Sequence, residues 1–390
     1  MRIISTTLGV ALCSLASPSF GCVDDPETSI DDLELDDDDS ESDDPTPAGV
    51  GLAAPSAPQA AQPNGKKLFE KETFEGNGRT CRTCHTKETG ALSPEQVQEA
   101  FDCDPDDPLF RAIDSDDGLG LSYERLLADA TILVDIPLPA GWTRVDDPAA
   151  TSARFARAVP TTNNVPSLDV LFMADGRFTT LETQALGAVH AHAEPGREPT
   201  EAELEAIAEF QQTNKFFSSN KLKQYANGGD APTLPQGHTQ SQKRGRNWFV
   251  PSAAGVCGHC HAGPMLNETS EFLLAPLPPG SRFFTAFVSE LNKAGNPVQS
   301  FEVDNGDGTT QIVETPDPGR ALVTGNVAEL NFFRIPTVWG AKDTAPYFHD
   351  NSAATLEDLM QHYSDYFQIV GLPALTAQEQ ADINAYLELL

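Results

Sequence analysis

Positive charge is scarce in this chain. Its 390 residues hold 25 Lys and Arg against 58 Asp and Glu, a formal net charge of −33. Such a surface repels nucleic acid and anionic membranes and favours cationic protein partners, which argues against a DNA- or RNA-binding role. Long apolar runs are missing as well. The run from Ile3 to about Ala16 is too short to span a bilayer, and with Met1-Arg2 before it reads as the core of a secretory signal peptide over residues 1–22. The seven cysteines do not form an even-numbered disulfide framework. Cys13 and Cys22 fall in the leader, four others sit in two Cys-x-x-Cys-His pentads, and Cys103 is left over, expected to be unpaired. Strand patterns are sparse too. A hairpin is expected over Gly306 to Thr315, around Asn305-Gly306-Asp307-Gly308, and a short strand within Ala130 to Leu138. Helices and long loops with 30 prolines and 29 glycines make up the rest, so a mainly α fold is expected.

Ser19-Phe20-Gly21-Cys22 places a small residue before a cysteine, as at the cleavage site of a bacterial lipoprotein, but with Ser19 where Leu is usual. Lipid attachment at Cys22 and ordinary cleavage both stay open. Residues 23–64 are an acidic block followed by Pro, Ala and Gly, with almost nothing to bury; they read as a disordered linker or tether.

The remainder repeats itself. Cys81 and Cys257, which open the pentads, lie 176 positions apart, and Thr200-x-x-Glu203-x-x-x-Ile207-x-x-Phe210 recurs at the same offset as Thr376-x-x-Glu379-x-x-x-Ile383-x-x-Tyr386. Both segments carry the capping box that starts an amphipathic helix. Thr180-Leu181-Glu182 after Asp175-Gly176 pairs with Thr355-Leu356-Glu357 after Asp350-Asn351, one residue out of step. The expected organisation is two modules, 65–229 and 230–390, each opening near its pentad and closing on such a helix.

The pentads are Cys81-Arg82-Thr83-Cys84-His85 and Cys257-Gly258-His259-Cys260-His261. Thiols at i and i+3 on one helical turn can form thioethers with the two porphyrin vinyl groups, and the adjacent histidine ligates iron; this is the pattern of a c-type haem site. A zinc ribbon would need its cysteine pairs about 15–20 residues apart, far closer than these. Two covalent haems are expected, with His85 and His261 as proximal iron ligands. The function then depends on whether an iron keeps an open side: one held on both sides passes electrons, while one with a vacant side binds peroxide or dioxygen.

Thr344-Ala345-Pro346-Tyr347-Phe348-His349-Asp350-Asn351, then Ala354-Thr355-Leu356-Glu357, Asn164-Val165-Pro166-Ser167-Leu168, Asp175-Gly176-Arg177 and Gln184-Ala185-x-Gly187 carry a resemblance over about Lys66 to Leu390. The chain resembles the bacterial di-haem cytochrome c peroxidases and their MauG-type relatives. That resemblance implies two cytochrome c-like domains, a peroxide-binding first haem, a six-coordinate second haem through which electrons enter, and a calcium ion between the domains. By position it places the distal-pocket glutamine on Gln184 and the acid–base glutamate on Glu194. The calcium ligands fall on Asn164, Thr344 and Pro346. The second haem's distal ligand falls on Tyr363, with Met360 and His362 as rivals.

Two departures matter. The family's tryptophan before Asp-Gly-Arg is Ala174 here, leaving Trp142, Trp248 and Trp339 as the chain's tryptophans. The distal histidine that many members displace on reduction is matched by Phe101, and no histidine lies between His85 and His190. The expectation is an open first haem, unless His190 or His192 supplies a ligand. The leading reading is a periplasmic oxidoreductase that reduces hydrogen peroxide with electrons from a small cationic-faced donor, a cytochrome c or cupredoxin. MauG-like oxidation of an organic or protein substrate is the enzymatic alternative, and a plain electron-transfer cytochrome the non-enzymatic one.

Overall fold

The computed structural model describes residues 63–291 and 295–390. The leader, nearly all of the acidic linker and Cys22 lie outside the described residues. Among the described residues the fold is mainly helical, with twelve α-helical segments and seven short strands. The described residues all fall in one compact unit.

The repeat read from the sequence recurs as two helix pairs of the same construction. Thr200 caps the helix Glu201–Gln211: its hydroxyl accepts from the Glu203 N–H at 3.3 Å while Glu203 Oε2 accepts from the Thr200 N–H at 2.8 Å. Thr376 and Glu379 do the same, at 3.3 and 2.8 Å, for the helix Ala377–Leu387. These boxes satisfy N–H groups that a helix start otherwise leaves unpaired. The helix Gly65–Lys71 packs on the first of these and Gln240–Phe249 on the second. Each contact is made at a glycine. A Cβ on Gly65 would lie 2.0 Å from the Ala206 carbonyl oxygen, and one on Gly245 would lie 2.0 Å from that of Asp382. Ile207 and Ile383 are buried at equivalent positions.

The turns that follow also match. Phe172 bridges to Phe178 and Tyr347 to Ala353, with Met173 and Gly176 in one turn and Phe348 and Asn351 in the other all at positive φ. Thr180 and Thr355 then cap the helices Leu181–His192 and Leu356–Ile369.

The expected hairpin forms from Gln299–Asp304 and Thr310–Thr315, and the expected short strand is Thr131–Pro137. Four further strands were not anticipated, of which Phe283–Phe284 and Phe333–Arg334 pair with each other. Ser152–Ala158 pairs antiparallel with Thr131–Pro137, and Trp142–Arg144 adds to the edge of the hairpin. That sheet joins residues from both sides of position 229. Ile132, Val134 and Phe155 accordingly share one core with Phe301, Val303 and Val313. Below it, Arg157 forms a buried ion cluster with Asp175 and Asp317. Cys103, expected to be unpaired, is disulfide-bonded; a count of pentads and leader cysteines gives no information on pairing across the chain.

Candidate functional site

The short helix Cys81–Cys84 is one turn, so residues i and i+3 put both thiols on the same side. Burial pushes the Cys81 thiol up to about 12 and the Cys84 thiol up to about 11. His85 follows, and its Nδ1–H donates to the Gly90 carbonyl at 2.8 Å. A carbonyl can only accept, so the proton sits on Nδ1 and the Nε2 lone pair is left for a metal. The second pentad repeats the device: His261 Nδ1–H donates to the Leu266 carbonyl at 2.9 Å, again five residues on. Gly90 and Leu266 both take positive φ, the backbone turn that aims each carbonyl at its imidazole. Burial lowers the pKa of both histidines, which favours the neutral, metal-binding form.

Cys81, Cys84 and His85 border a cavity walled by apolar side chains such as Phe69, Ile132, Val159 and Leu181. The apolar lining and the donor set fit a covalently attached haem. Among the described residues no three His, Cys, Asp or Glu side chains gather as a metal-ion site.

The helix Leu181–His192 forms one wall. Gln184, Ala188 and His192, spaced by four, all line the cavity. Gln184 Nε2 donates to Met173 Sδ at 3.8 Å. His192 Nδ1 is shut off from water and has no partner. Burial, opposed by Asp114 and reinforced by Arg79, pushes the His192 pKa down to about 4. Glu194 lies beyond the helix end at φ +46°, exposed and absent from the cavity lining, with its Oε2 accepting from Asn77 Nδ2 at 2.9 Å. His190 points outward and pairs with Glu198 at 2.7 Å. Phe101 packs edge-on against Phe110 in the neighbouring core. Of the two histidines that the sequence left open as ligands, His192 is therefore the one that lines the cavity, in keeping with its spacing from Gln184.

At the second pentad, burial pushes the Tyr363 phenol up, and the charges next in effect on it are those of Cys260 and Cys257. Its ring stands among Phe348, Tyr366 and Phe367. Met360 is a buried core side chain, and His362 Nε2 donates to the Ala286 carbonyl at 2.8 Å. At the expected calcium position, Asn164 Oδ1 accepts from the Ser218 N–H at 2.8 Å, and its Nδ2 donates to the Trp339 carbonyl at 2.9 Å. Asn164 is thereby held against the segment that leads to Thr344 and Pro346. Ala174, where the resemblance has tryptophan, accepts from the Arg334 N–H. All three tryptophans pack: Trp142 on Phe301, Trp248 on Phe367, and Trp339 in the core.

Residues 61–231 match the family described as di-haem cytochrome c peroxidase. A cytochrome-c peroxidase, IdrP1, from Pseudomonas sp. (strain SCT) is 29% identical over 194 residues, 47% of this chain and 48% of the relative. The cytochrome c551 peroxidase of Nitrosomonas europaea is 30% identical over 156 residues, 40% of this chain and 35% of the relative. The matched segments thus span about half or less of these curated relatives. Among solved structures, a MauG-like protein associated with microbial copper homeostasis is 19% identical, with 87% of this chain and 93% of that one covered at a TM-score of 0.48.

Proposed function

We propose, for a chain whose residues 61–231 match the di-haem cytochrome c peroxidase family, a periplasmic two-haem oxidoreductase that reduces hydrogen peroxide at the His85 haem with electrons taken up at the His261 haem. The observation that carries this reading is the asymmetry around His85: a fixed imidazole with a free Nε2 borders a cavity whose other wall presents Gln184 and His192. Haem bound there would supply an iron centre that stores and releases single electrons. The rest falls to the chain. Gln184 orients a small polar ligand in an otherwise apolar space. Glu194, tethered by Asn77 at the solvent side of the helix end, takes up and returns protons, so that peroxide with two electrons and two protons leaves as two waters.

The electron donor is a small redox protein, a cytochrome c or cupredoxin, with a cationic face to match the chain's net charge of −33. No helix of the described residues is long and apolar enough to cross a membrane. A calcium ion held by Asn164 Oδ1 and the Thr344 and Pro346 carbonyls belongs to the same proposal. These three neutral oxygens need water to complete the six to eight ligands calcium takes.

MauG-like oxidation of an organic or protein substrate is the second reading, favoured by Tyr363 at the second pentad. A phenolate there would stabilise ferric iron, whereas a thioether would favour ferrous iron.

The test is stopped-flow mixing of half-reduced protein with hydrogen peroxide. The expected result is rapid oxidation at the His85 haem, slowed roughly 10²–10⁴-fold in Glu194→Gln with both haem spectra intact. Wholly low-spin haem at rest and half-reduced, with no reaction, would make the protein an electron carrier instead.

A further inference from the structure

We infer that His192 is the hydrogen-bonding group that the protein presents to a small ligand held at the His85 haem. The inference rests on the reading that this haem keeps an open side, and it adds a residue that the family resemblance does not mark. Residues 184, 188 and 192 follow one another at single-turn intervals along the helix Leu181–His192 and all line the cavity. Ala188 in the middle leaves space, so Gln184 and His192 are the polar side chains of that stripe. Gln184 already has a neighbour in the Met173 sulfur.

His192 differs, because its ring lines the cavity with no hydrogen bond from the protein: Nδ1 is sealed from water and unpaired, which leaves Nε2 as the nitrogen that a ligand in the cavity can reach. Its position is secured from behind: the His192 carbonyl accepts from Asn77 Nδ2 at 2.9 Å and from Arg79, whose guanidinium is paired with the buried Asp114. Neighbouring candidates face elsewhere. His190 is turned outward to Glu198, and Glu194 is exposed beyond the helix end. A neutral imidazole has one donor and one acceptor, and can bond to either a protonated or an anionic small ligand.

The experiment uses the haem-loaded protein with cyanide and carbon monoxide as probes. Cyanide is bound to the oxidised protein and its dissociation rate measured; carbon monoxide is bound to the reduced protein and its C–O stretch recorded in H₂O and D₂O. Wild type should show a solvent-isotope shift in the stretch. His192→Leu should abolish that shift and release cyanide roughly tenfold faster, the worth of about one hydrogen bond. His192→Gln should retain part of the effect, and the outward-facing variant His190→Ala should match wild type. If His192→Leu does not retain haem, the wild-type isotope shift and His192→Gln decide the matter. Unchanged dissociation and stretch in the His192 variants would overturn the inference while leaving the open haem intact. A resting low-spin first haem that turns high-spin in His192→Leu would make His192 an iron ligand and overturn it too. Wild-type protein that binds neither probe would overturn both the inference and the open-haem reading.

Discussion

Replacing Arg157 should be among the most destabilising single changes in the chain. Its guanidinium holds Asp317 in a two-pronged pair, Nε to Oδ2 and Nη2 to Oδ1, both at 2.7 Å, and reaches Asp175 Oδ2 at 2.6 Å. The three side chains are 3%, 1% and 0% exposed. Asp175 keeps Arg177 at 2.9 Å after the change, but the Asp317 carboxylate is left with the Gly319 backbone N–H, which donates to its Oδ1 at 2.9 Å. Removing one partner of a buried ion cluster costs about 3–5 kcal/mol, because the remaining carboxylate stays out of water without its counter-charge. For haem-loaded Arg157→Met at neutral pH, the urea midpoint should fall by about 1 M or more.

The pH dependence gives a second check. Burial alone would lift the Asp175 pKa, but Arg157 and then Arg177 outweigh it and hold it below the ordinary carboxylate value. A carboxyl with a depressed folded-state pKa adds stability that is fully present above its unfolded pKa and is lost as pH falls through the folded one. Without Arg157, Arg177 alone opposes the burial of Asp175, so the variant has less of this stability to lose as pH falls. The gap between wild type and variant should therefore narrow as pH falls through the carboxylate range. Arg157→Met combined with Asp175→Asn and Asp317→Asn should recover much of the loss. A loss below about 1 kcal/mol at pH 7, or a gap that widens on acidification, would refute the reasoning.

Acidified acetone should fail to extract haem from the wild-type protein, whereas Cys84→Ala and Cys260→Ala should each lose part of the covalent linkage at one site; mass spectrometry of the two pentad peptides reads this directly. At the second haem, Tyr363→Phe should alter the ferric spectrum. Met360→Ala should leave that spectrum intact and lower stability by about 2–5 kcal/mol through the cavity it opens in the core. A near-infrared charge-transfer band of His–Met type, lost in Met360→Ala and kept in Tyr363→Phe, would reverse the ligand assignment. Gly245→Ala, which sets a Cβ 2.0 Å from the Asp382 carbonyl oxygen, should cost about 1–3 kcal/mol by forcing two helices apart, measured by the same urea titration.

What could be read from the sequence was local and self-contained. A capping box spans four residues, and a pentad five, so Thr200, Thr376 and the cysteine pairs are legible wherever they stand. The mainly helical fold and the repeat both followed from such patterns. The Arg157–Asp317 pair joins residues 160 positions apart, and the Trp142–Arg144 strand finds its partner in Gln299–Asp304. Neither leaves a local trace, because pairing across that distance depends on which surfaces meet after the helices have formed. The cavity wall lies between these extremes. Counting ten residues from Gln184 leads to Glu194, but Glu194 precedes Pro195, and a residue before proline is driven out of helical conformation. The helix indeed ends at His192, with Glu194 in the left-handed region and exposed. With the helix ended there, His192 is the last residue of the stripe it shares with Gln184. For that reason, spacing along the helix identifies the inward-facing side chain here better than distance along the chain does.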